Sequence, residues 1–268
     1  MDSSTISPEE KTICSIKLAF REGTRKIEGM SGYDRAIEIL NQNPELKAQV
    51  EKLFTDEKTE ASPEIVDIAR LIEIRIPFDQ LRNKIATVDE TLKFDEDIVM
   101  QPLIAQKYEE ELNEIKAKLE KMLKIKEQSP LIFSPYSELS LLDINAQLEA
   151  YLGKHRKAHR IISEAWRQAD QMNLNDQAAR YAKIKGDIYT IQALLEEDEP
   201  KQAKFLSLAI ETYSKEGITS IDKLRSEETE STNDYNAMIR IQRIRAIALL
   251  HSLKTTDQNE LDQHIKTA

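Results

Sequence analysis

The chain has 268 residues, of which 40% are hydrophobic, and it carries a formal net charge of −10 with a pI near 5.1. This hydrophobic content is enough to build a core, which excludes wholesale disorder. The acidic balance disfavours nonspecific binding of nucleic acid, which needs a net basic face. Glycine and proline are scarce while Leu, Ala, Glu and Lys abound, so we predict an all-α protein.

Three features bear on location. The single cysteine, Cys14, permits no intramolecular disulfide and fits a reducing compartment. Its apolar neighbours predict a buried structural thiol. The first ten residues lack a basic stretch followed by an apolar run, so no secretory signal is expected. No stretch approaches about 18 consecutive apolar residues, so no membrane span is expected. We predict a cytoplasmic protein, and a route that needs no cleaved N-terminal signal stays open.

Helical spacing dominates the first part of the chain. Ser7 and Ser62 are each followed by Pro and Glu, a combination that favours a helix start. Five helices are predicted: from Pro8 to the breakers Gly29–Gly32, Tyr33–Leu40, Leu46–Phe54, Ser62 to just before Pro77, and Phe78–Phe94.

Residues 96–128 form the longest predicted helix. Leu112, Ile115, Leu119 and Met122 follow one another at steps of three and four residues, which is a heptad seam. Glutamates precede lysines along the helix, an order that complements its dipole. Two interpretations stay open. The helix packs within an N-terminal bundle spanning residues 1–128, or the seam forms a coiled coil with a partner.

A Pro-rich connector, residues 129–137, follows with the sequence SPLIFSPYS. Its two prolines end the long helix and keep the chain extended. Its four large apolar side chains are expected to pack down as a buried connector or, alternatively, to form a short motif that a partner recognises: Leu131, Ile132, Phe133 and Tyr136. Residues 138–268 then form a helical repeat region.

In that region a helix–turn–helix pattern recurs 40 residues later, from Ala146 to Gly186. The first hairpin is traced by Ala146, Gly153, Ala158, Ile162 and Ala165, and the second by Gly186, Tyr189, Ala203 and Ile210. These residues resemble the tetratricopeptide repeat in its longer version, with a period of about 40. Leu142 and Glu149 depart from it, because an aromatic residue and a Tyr are usual there. The resemblance implies an α-solenoid fragment over residues 140–253.

The resemblance also implies a groove lined by the first helix of each unit, often holding a peptide. The residues placed there are Asp143 and Gln147 in the first unit, Arg180, Lys183, Asp187 and Thr190 in the second, and Arg240 and Arg243 in the third. Several basic groups would favour an acidic or C-terminal carboxylate ligand. The other interpretation is an ordinary solvated face.

Signals of catalysis or metal binding are weak. His155 and His159 are four residues apart, a spacing that can place two imidazoles on one metal. Their neighbours Arg156 and Lys157 repel a cation, so we predict solvent-exposed histidines and no metal site. The sequence has no phosphate-binding loop, nucleophile elbow or kinase signature, and no cofactor is expected.

The leading hypothesis is therefore a non-catalytic adaptor or scaffold that binds a peptide or helix of a partner protein through the repeat groove. The expected partner is a protein, with an acidic segment if the groove is basic; nucleic acid is not expected. The second hypothesis is a structural subunit or chaperone that assembles through the heptad helix 96–128. The third is an enzyme with an unrecognised site.

Overall fold

A computed structural model of the chain describes residues 7–27, 29–55, 61–86, 106–224 and 230–253. These residues are almost wholly helical, apart from an antiparallel pairing of β1 (Lys26–Ile27) with β2 (Met30–Ser31). The all-α prediction is confirmed. The chain divides into two compact units, Met1–Lys84 with Glu110–Leu141 and Ile85–Glu109 with Leu142–Ala268.

The first unit is built from short helices that begin at serine caps. Ser7, Ser31 and Ser62 each accept a hydrogen bond from a backbone N–H in the first turn, and Ser7 forms a reciprocal capping box with Glu10. The helices are α1 (Pro8–Glu22), α2 (Gly32–Asn41), α3 (Pro44–Thr55), α4 (Pro63–Arg70), α5 (Ile76–Ala86), α6 (Glu109–Gln128) and the start of α7 (Pro135–Tyr151).

The predicted end of the first helix at Gly29–Gly32 is wrong. The helix α1 ends at Glu22, because Gly23 adopts a left-handed φ of 58° and donates its N–H to the Phe20 carbonyl. Gly32 has a packing role instead. A Cβ there would lie 2.3 Å from the Ala19 carbonyl oxygen, so the missing side chain lets α2 approach α1 closely.

The predicted helix end before Pro77 is also wrong. A π turn, Leu71–Arg75, joins α4 to α5 without a break, and the Ile76 N–H donates to the Leu71 carbonyl. A proline in a regular α-helix lacks a donor and crowds the carbonyl four residues earlier. The wider π turn accommodates both. The helix is followed to Ala86; the rest of the predicted Phe78–Phe94 helix lies outside the described residues.

The heptad seam of α6 is buried within the chain. Its apolar side chains are at most 6% exposed: Leu112, Ile115, Leu119 and Met122. Lys118 contacts Glu73 of the π turn at 2.6 Å, and Lys121 donates to the Phe54 carbonyl. The described seam is therefore covered by this chain itself. Residues 96–105 of the predicted helix lie outside the described part.

The predicted connector is only partly buried. Pro130–Ile132 form a single 3-10 turn, and α7 begins at Pro135, within the predicted connector. This turn places Phe133 inside at 7% exposure, while Leu131 is 96% and Tyr136 60% exposed. For Leu131 and Tyr136 the prediction of a buried connector is wrong.

The second unit continues with α8 (His155–Gln171), α9 (Asn175–Leu195), α10 (Glu199–Glu211), a π turn (Thr212–Ile218), α11 (Thr219–Leu224) and α12 (Glu230–Ser252). The helix α9 packs against α8 and α10, and α12 packs against α9, α10, α11 and the π turn. Gly153, between α7 and α8, has the left-handed φ of 73° that its turn requires. Residues 254–268 of the predicted repeat region lie outside the described residues.

Candidate functional site

Three of the residues predicted to line a groove form one buried cluster on α7 and α9. Arg180 Nη2 donates to Asp143 Oδ2 at 2.6 Å, and Gln147 Nε2 donates to Asp143 Oδ1 at 2.6 Å. Asp143 is only 1% exposed. A buried carboxylate needs such partners, so an external ligand would have to displace contacts that stabilise the interior.

A second polar cluster lies one turn further along α9. Lys183 Nζ lies 2.6 Å from Asp187 Oδ2, and the Tyr213 hydroxyl donates to Asp187 Oδ1 at 2.7 Å. Burial, reinforced by Asp187, raises the pKa of Tyr213 well above 10. Gly186 makes room for this ring, because a Cβ there would lie 2.3 Å from it. Thr190 is buried and donates to the Gly186 carbonyl.

Tyr213 is the member of this cluster that the sequence did not reveal. The repeat pattern singled out Gly186 but did not indicate the ring that packs against it. The two remaining predicted groove residues, Arg240 and Arg243, both lie on α12. Arg243 is 3% exposed, and burial together with Arg240 lowers its pKa. Of the predicted groove residues, Arg180 and Lys183 thus pair with carboxylates within the chain, and Asp143, Gln147, Thr190 and Arg243 are buried.

The helix α12 is apolar on two opposite faces. Its inner face is buried, with Ile239 and Ala246 at 0% and Leu250 at 1% exposure. On the other side Met238, Ile241 and Ile244 are 43%, 55% and 59% exposed, and Ala248 is also exposed. We call these four residues the outer face of α12. Large apolar side chains that are exposed together on one helix face are a candidate interaction surface.

The chain around α12 is basic although the protein is acidic. No Asp or Glu occurs from Tyr235 to Thr256, the longest such run in the sequence, and three arginines fall within it. At about 100° per residue, Ile244, Ala248 and Ile241 occupy the arc between Arg240 and Arg245. Arg245 therefore lies between Ile241 and Met238 within the outer face, and Arg240 lies at its edge beside Ile244. In the sequence, the outer face of α12 could have been recognised from Ile and Leu residues that fall on both sides of the helix.

The prediction of solvent-exposed histidines is wrong. The His159 ring stacks on Tyr189 of α9, with centroids 3.8 Å apart, and its Nε2 lies 2.7 Å from Gln192 Oε1. Burial lowers the pKa of His159 to about 4 and also lowers that of His155. The charged neighbours Arg156 and Lys157 suggested exposure, yet only they face solvent while the imidazoles turn toward the interior.

Cys14 is exposed, so the predicted buried thiol is wrong as well. Its neighbours Ile13 and Ile16 occupy the buried face of α1, and one step of about 100° carries Cys14 away from it. Within the described ranges, no group of three or more His, Cys, Asp or Glu side chains could hold a metal ion. No helix in those ranges is long and apolar enough to cross a membrane.

Comparison with known proteins adds no assignment. No protein-family model matches the chain, and no curated protein is significantly similar to it. The described residues form an all-α protein in which the outer face of α12 is an apolar helix face open to solvent. The features that bear on function are therefore the outer face of α12 and the polar clusters on α7 and α9.

Proposed function

We propose that this protein is a non-catalytic scaffold that docks a helix of a partner protein along the outer face of α12. The observation that carries the proposal is the exposure of Met238, Ile241 and Ile244 on one side of a helix whose other side is fully packed. A helix that is apolar all round normally lies in an interior. An added helix would complete that burial.

The spacing of the exposed residues favours a helical partner. The side chains at 238, 241 and 244 follow one another at three-residue steps, and such positions form one row on a helix. A partner helix recognises this surface through its own apolar anchors at positions i, i+3, i+4 and i+7. An extended peptide would instead need an open strand edge or an aromatic-lined groove.

The proposal includes a tetratricopeptide-like stacking of the hairpins α7–α8 and α9–α10. The left-handed turn at Gly153 and the complete burial of Ala146, Ala158 and Ala165 support it, because small residues allow close helix approach. In such a stack each helix is covered by the next. No described helix covers the outer face of α12, where Ile241 and Ile244 are 55% and 59% exposed. A cytoplasmic location, favoured by the single cysteine, belongs to the same proposal.

We propose a docking surface on α12 rather than on the polar row of α9, because the basic side chains of α9 are already paired with carboxylates of the same chain. Arg180 and Lys183 already pair with Asp143 and Asp187 at 2.6 Å. Assembly through α6, the second hypothesis from the sequence, would require exposure of a seam in which Leu119 and Met122 are 0% exposed. No observation on the described residues favours that alternative.

The test is affinity capture with the full chain, followed by chemical cross-linking and mass spectrometry. Three proteins are compared: the wild type, Ile241→Asp/Ile244→Asp, and the control Leu131→Asp, which alters an exposed apolar residue of the first unit. The expected result is a partner held by the wild type and the control, lost from the double variant, and cross-linked to α12 through a helical segment. Circular dichroism must show unchanged helicity in all three. Identical capture by all three would overturn the proposal.

A further inference from the structure

We propose that Ser134 is a phosphorylation site, modified by a protein kinase that requires proline after the acceptor serine. The phosphoserine then lies at the N-terminus of α7, close to the cations Arg70 and Lys17. The site belongs to the first unit, and it does not depend on docking at α12. Its basis is an exposed Ser–Pro step in positively charged surroundings.

Four serines of the chain precede a proline, and they differ in the acids around them. The four are Ser7, Ser62, Ser129 and Ser134. Asp or Glu occurs within three residues of each of the first three, but none occurs within three residues of Ser134. A phosphate adds a charge of about −1.5 to −2 and is repelled by neighbouring carboxylates. The sequence around Ser134 is therefore the most favourable of the four for a phosphate.

The structure also disfavours a phosphate at the other Ser–Pro steps. Ser7 donates its backbone N–H to Glu10 Oε2 at 2.8 Å and accepts from the Glu10 N–H, so a phosphate there would lie against that carboxylate. Ser129 is half-buried, whereas Ser134 is exposed. Ser62 is exposed as well, and its carboxylate neighbours make it the matched comparison for Ser134.

The chain on both sides of Ser134 is open to another enzyme. Leu131 and Tyr136 are 96% and 60% exposed. Phe133 has extended backbone, with φ −103° and ψ 129°, and Pro135 disfavours the α conformation at Ser134. An exposed and extended segment is the form in which binding clefts commonly accept a peptide.

The hydroxyl that would accept the phosphate already caps α7. The Ser137 N–H donates to Ser134 Oγ at 3.1 Å. In the transfer, Ser134 Oγ attacks the γ-phosphorus of Mg-ATP and the bond to the β-phosphate oxygen breaks. ADP leaves, and the hydroxyl proton passes to the catalytic Asp of the kinase. The product places a dianion at the positive end of a 17-residue helix, where anions are stabilised.

A second observation, independent of the helix end, is the excess of cations beside Ser134. Arg70 and Lys17 both pair with Asp67, each at 2.7 Å. Ser137 Oγ lies 2.9 Å from Ser134 Oγ and donates to Asp67 Oδ1 at 3.1 Å. Burial opposes ionisation of Asp67, yet the two cations lower its pKa. Two cations face one carboxylate, so a phosphate nearby meets a net positive charge.

Arg70 also has a donor that the cluster does not use. The residue is 9% exposed, and its Nη1 donates to Ser140 Oγ at 2.8 Å, which places the guanidinium against the first turns of α7. Its Nε is buried and has no hydrogen-bond partner among the residues that the structure describes. A buried donor without an acceptor costs free energy, and a phosphate oxygen is a good acceptor for a guanidinium.

The first experiment measures which serine accepts the phosphate. The full chain is incubated with Mg-ATP and a proline-directed kinase of the mitogen-activated class, and tandem mass spectrometry locates the phosphate. Ser134 should carry at least about five times as much phosphate as any other Ser–Pro serine. Ser134→Ala should remove most of the incorporation, whereas the matched variant Ser62→Ala should retain it. Circular dichroism must show unchanged helicity in both variants.

The second experiment measures the surroundings of the phosphate. The second pKa of a solvated phosphoserine is about 6, and neighbouring cations lower it. Phosphorus NMR titration of the phosphorylated chain should give a pKa at least about 0.5 below that of the same chain unfolded in urea. Lys17→Gln should raise the folded value, whereas Lys11→Gln, at an exposed lysine of the same helix α1, should leave it unchanged.

The outcomes test the two parts of the proposal separately. Phosphate spread evenly over the four serines, or absent from Ser134, would overturn Ser134 as the acceptor. An equal phosphoserine pKa in the folded and unfolded chain would place the phosphate in bulk water and overturn its position at α7. Selective modification with a lowered pKa that responds to Lys17→Gln alone would support both parts. None of these results depends on capture of a partner at α12.

Discussion

The helices α6 and α12 have similar lengths and rich apolar content, yet they present opposite surfaces. In α6 the apolar residues form one seam that is buried, and charged residues such as Glu110 and Lys124 cover the exposed side. In α12 an inner face is buried while Ile241 and Ile244 remain more than half exposed. Periodicity identifies the residues that share a face, but whether that face is covered depends on tertiary neighbours.

The largest difference between α6 and α12 is expected when an apolar residue of each helix is replaced by Asp. We expect Leu119→Asp to destabilise the protein by about 4 kcal/mol or more, because it buries an unpaired carboxylate. Ile244→Asp should change the free energy of unfolding by less than about 0.5 kcal/mol, because its side chain is exposed. Urea unfolding followed by circular dichroism measures both. Similar losses in the two variants would mean that the outer face of α12 is buried in solution.

A finer comparison lies within α12, where two isoleucines stand two residues apart. Ile239 is 0% and Ile241 55% exposed. Truncation of Ile239 to Ala should cost about 2–5 kcal/mol, the range for buried large-to-small changes. The same change at Ile241 should cost less than about 0.5 kcal/mol. Equal costs at both positions, measured by urea unfolding, would be incompatible with a helix that has one packed and one open face.

The stacked pair of His159 and Tyr189 gives a pH-dependent test of packing between α8 and α9. The pKa of His159 is lowered by burial, and further by Lys185 and His155, from 6.5 to about 4. Between these values the unfolded chain binds more protons than the folded chain, so stability falls as the pH drops from about 6.5 to about 4. The loss should be of the order of 2 kcal/mol.

Proton NMR titration of the His159 ring measures its pKa directly, and the expected midpoint is near 4. The variant His159→Phe retains an aromatic ring against Tyr189 and should lack this part of the pH dependence. A His159 midpoint near 6.5 would place the ring in solvent and remove the reason for the predicted acid sensitivity.

The smallest predicted effect concerns the turn between α7 and α8. Gly153→Ala should cost about 1 kcal/mol, because φ is 73° there while no atom lies within 4 Å of an added Cβ. The cost is conformational rather than steric, so Gly153→Asn should cost less, since Asn tolerates left-handed geometry. Thermal unfolding of the two variants gives the order. A larger loss for Asn than for Ala would contradict it.

Local signals predicted much of the fold. The serine caps at Ser7 and Ser62 and the turn at Gly153 act through neighbouring backbone, and the structure shows each of them. The prediction of a helix end before Pro77 was wrong, because the π turn Leu71–Arg75 accommodates the proline. No local sequence pattern indicated that turn. The spacing of apolar residues along a helix does not show where the backbone hydrogen bonds change from the α to the π pattern.

The candidate site was harder to predict because it depends on which helices pack together. Asp143 and Arg180 were expected to face a ligand, but they are 37 positions apart and pair across two packed helices. The exposure of Ile241 depends on the absence of any described helix over that face, which spacing does not encode. The one local indication of an exposed apolar face was the presence of apolar residues on both sides of α12.

The most direct test of the central claim combines binding and stability in Ile241→Asp/Ile244→Asp. Affinity for the partner segment that cross-links to α12, prepared as a synthetic peptide, is measured by fluorescence anisotropy and the free energy of unfolding by urea, on the same preparation. We predict at least about a tenfold loss of affinity with a change of less than about 1 kcal/mol in the free energy of unfolding. Retained affinity, or a loss of affinity that only accompanies unfolding, would contradict an outer face of α12 that serves to dock a partner helix.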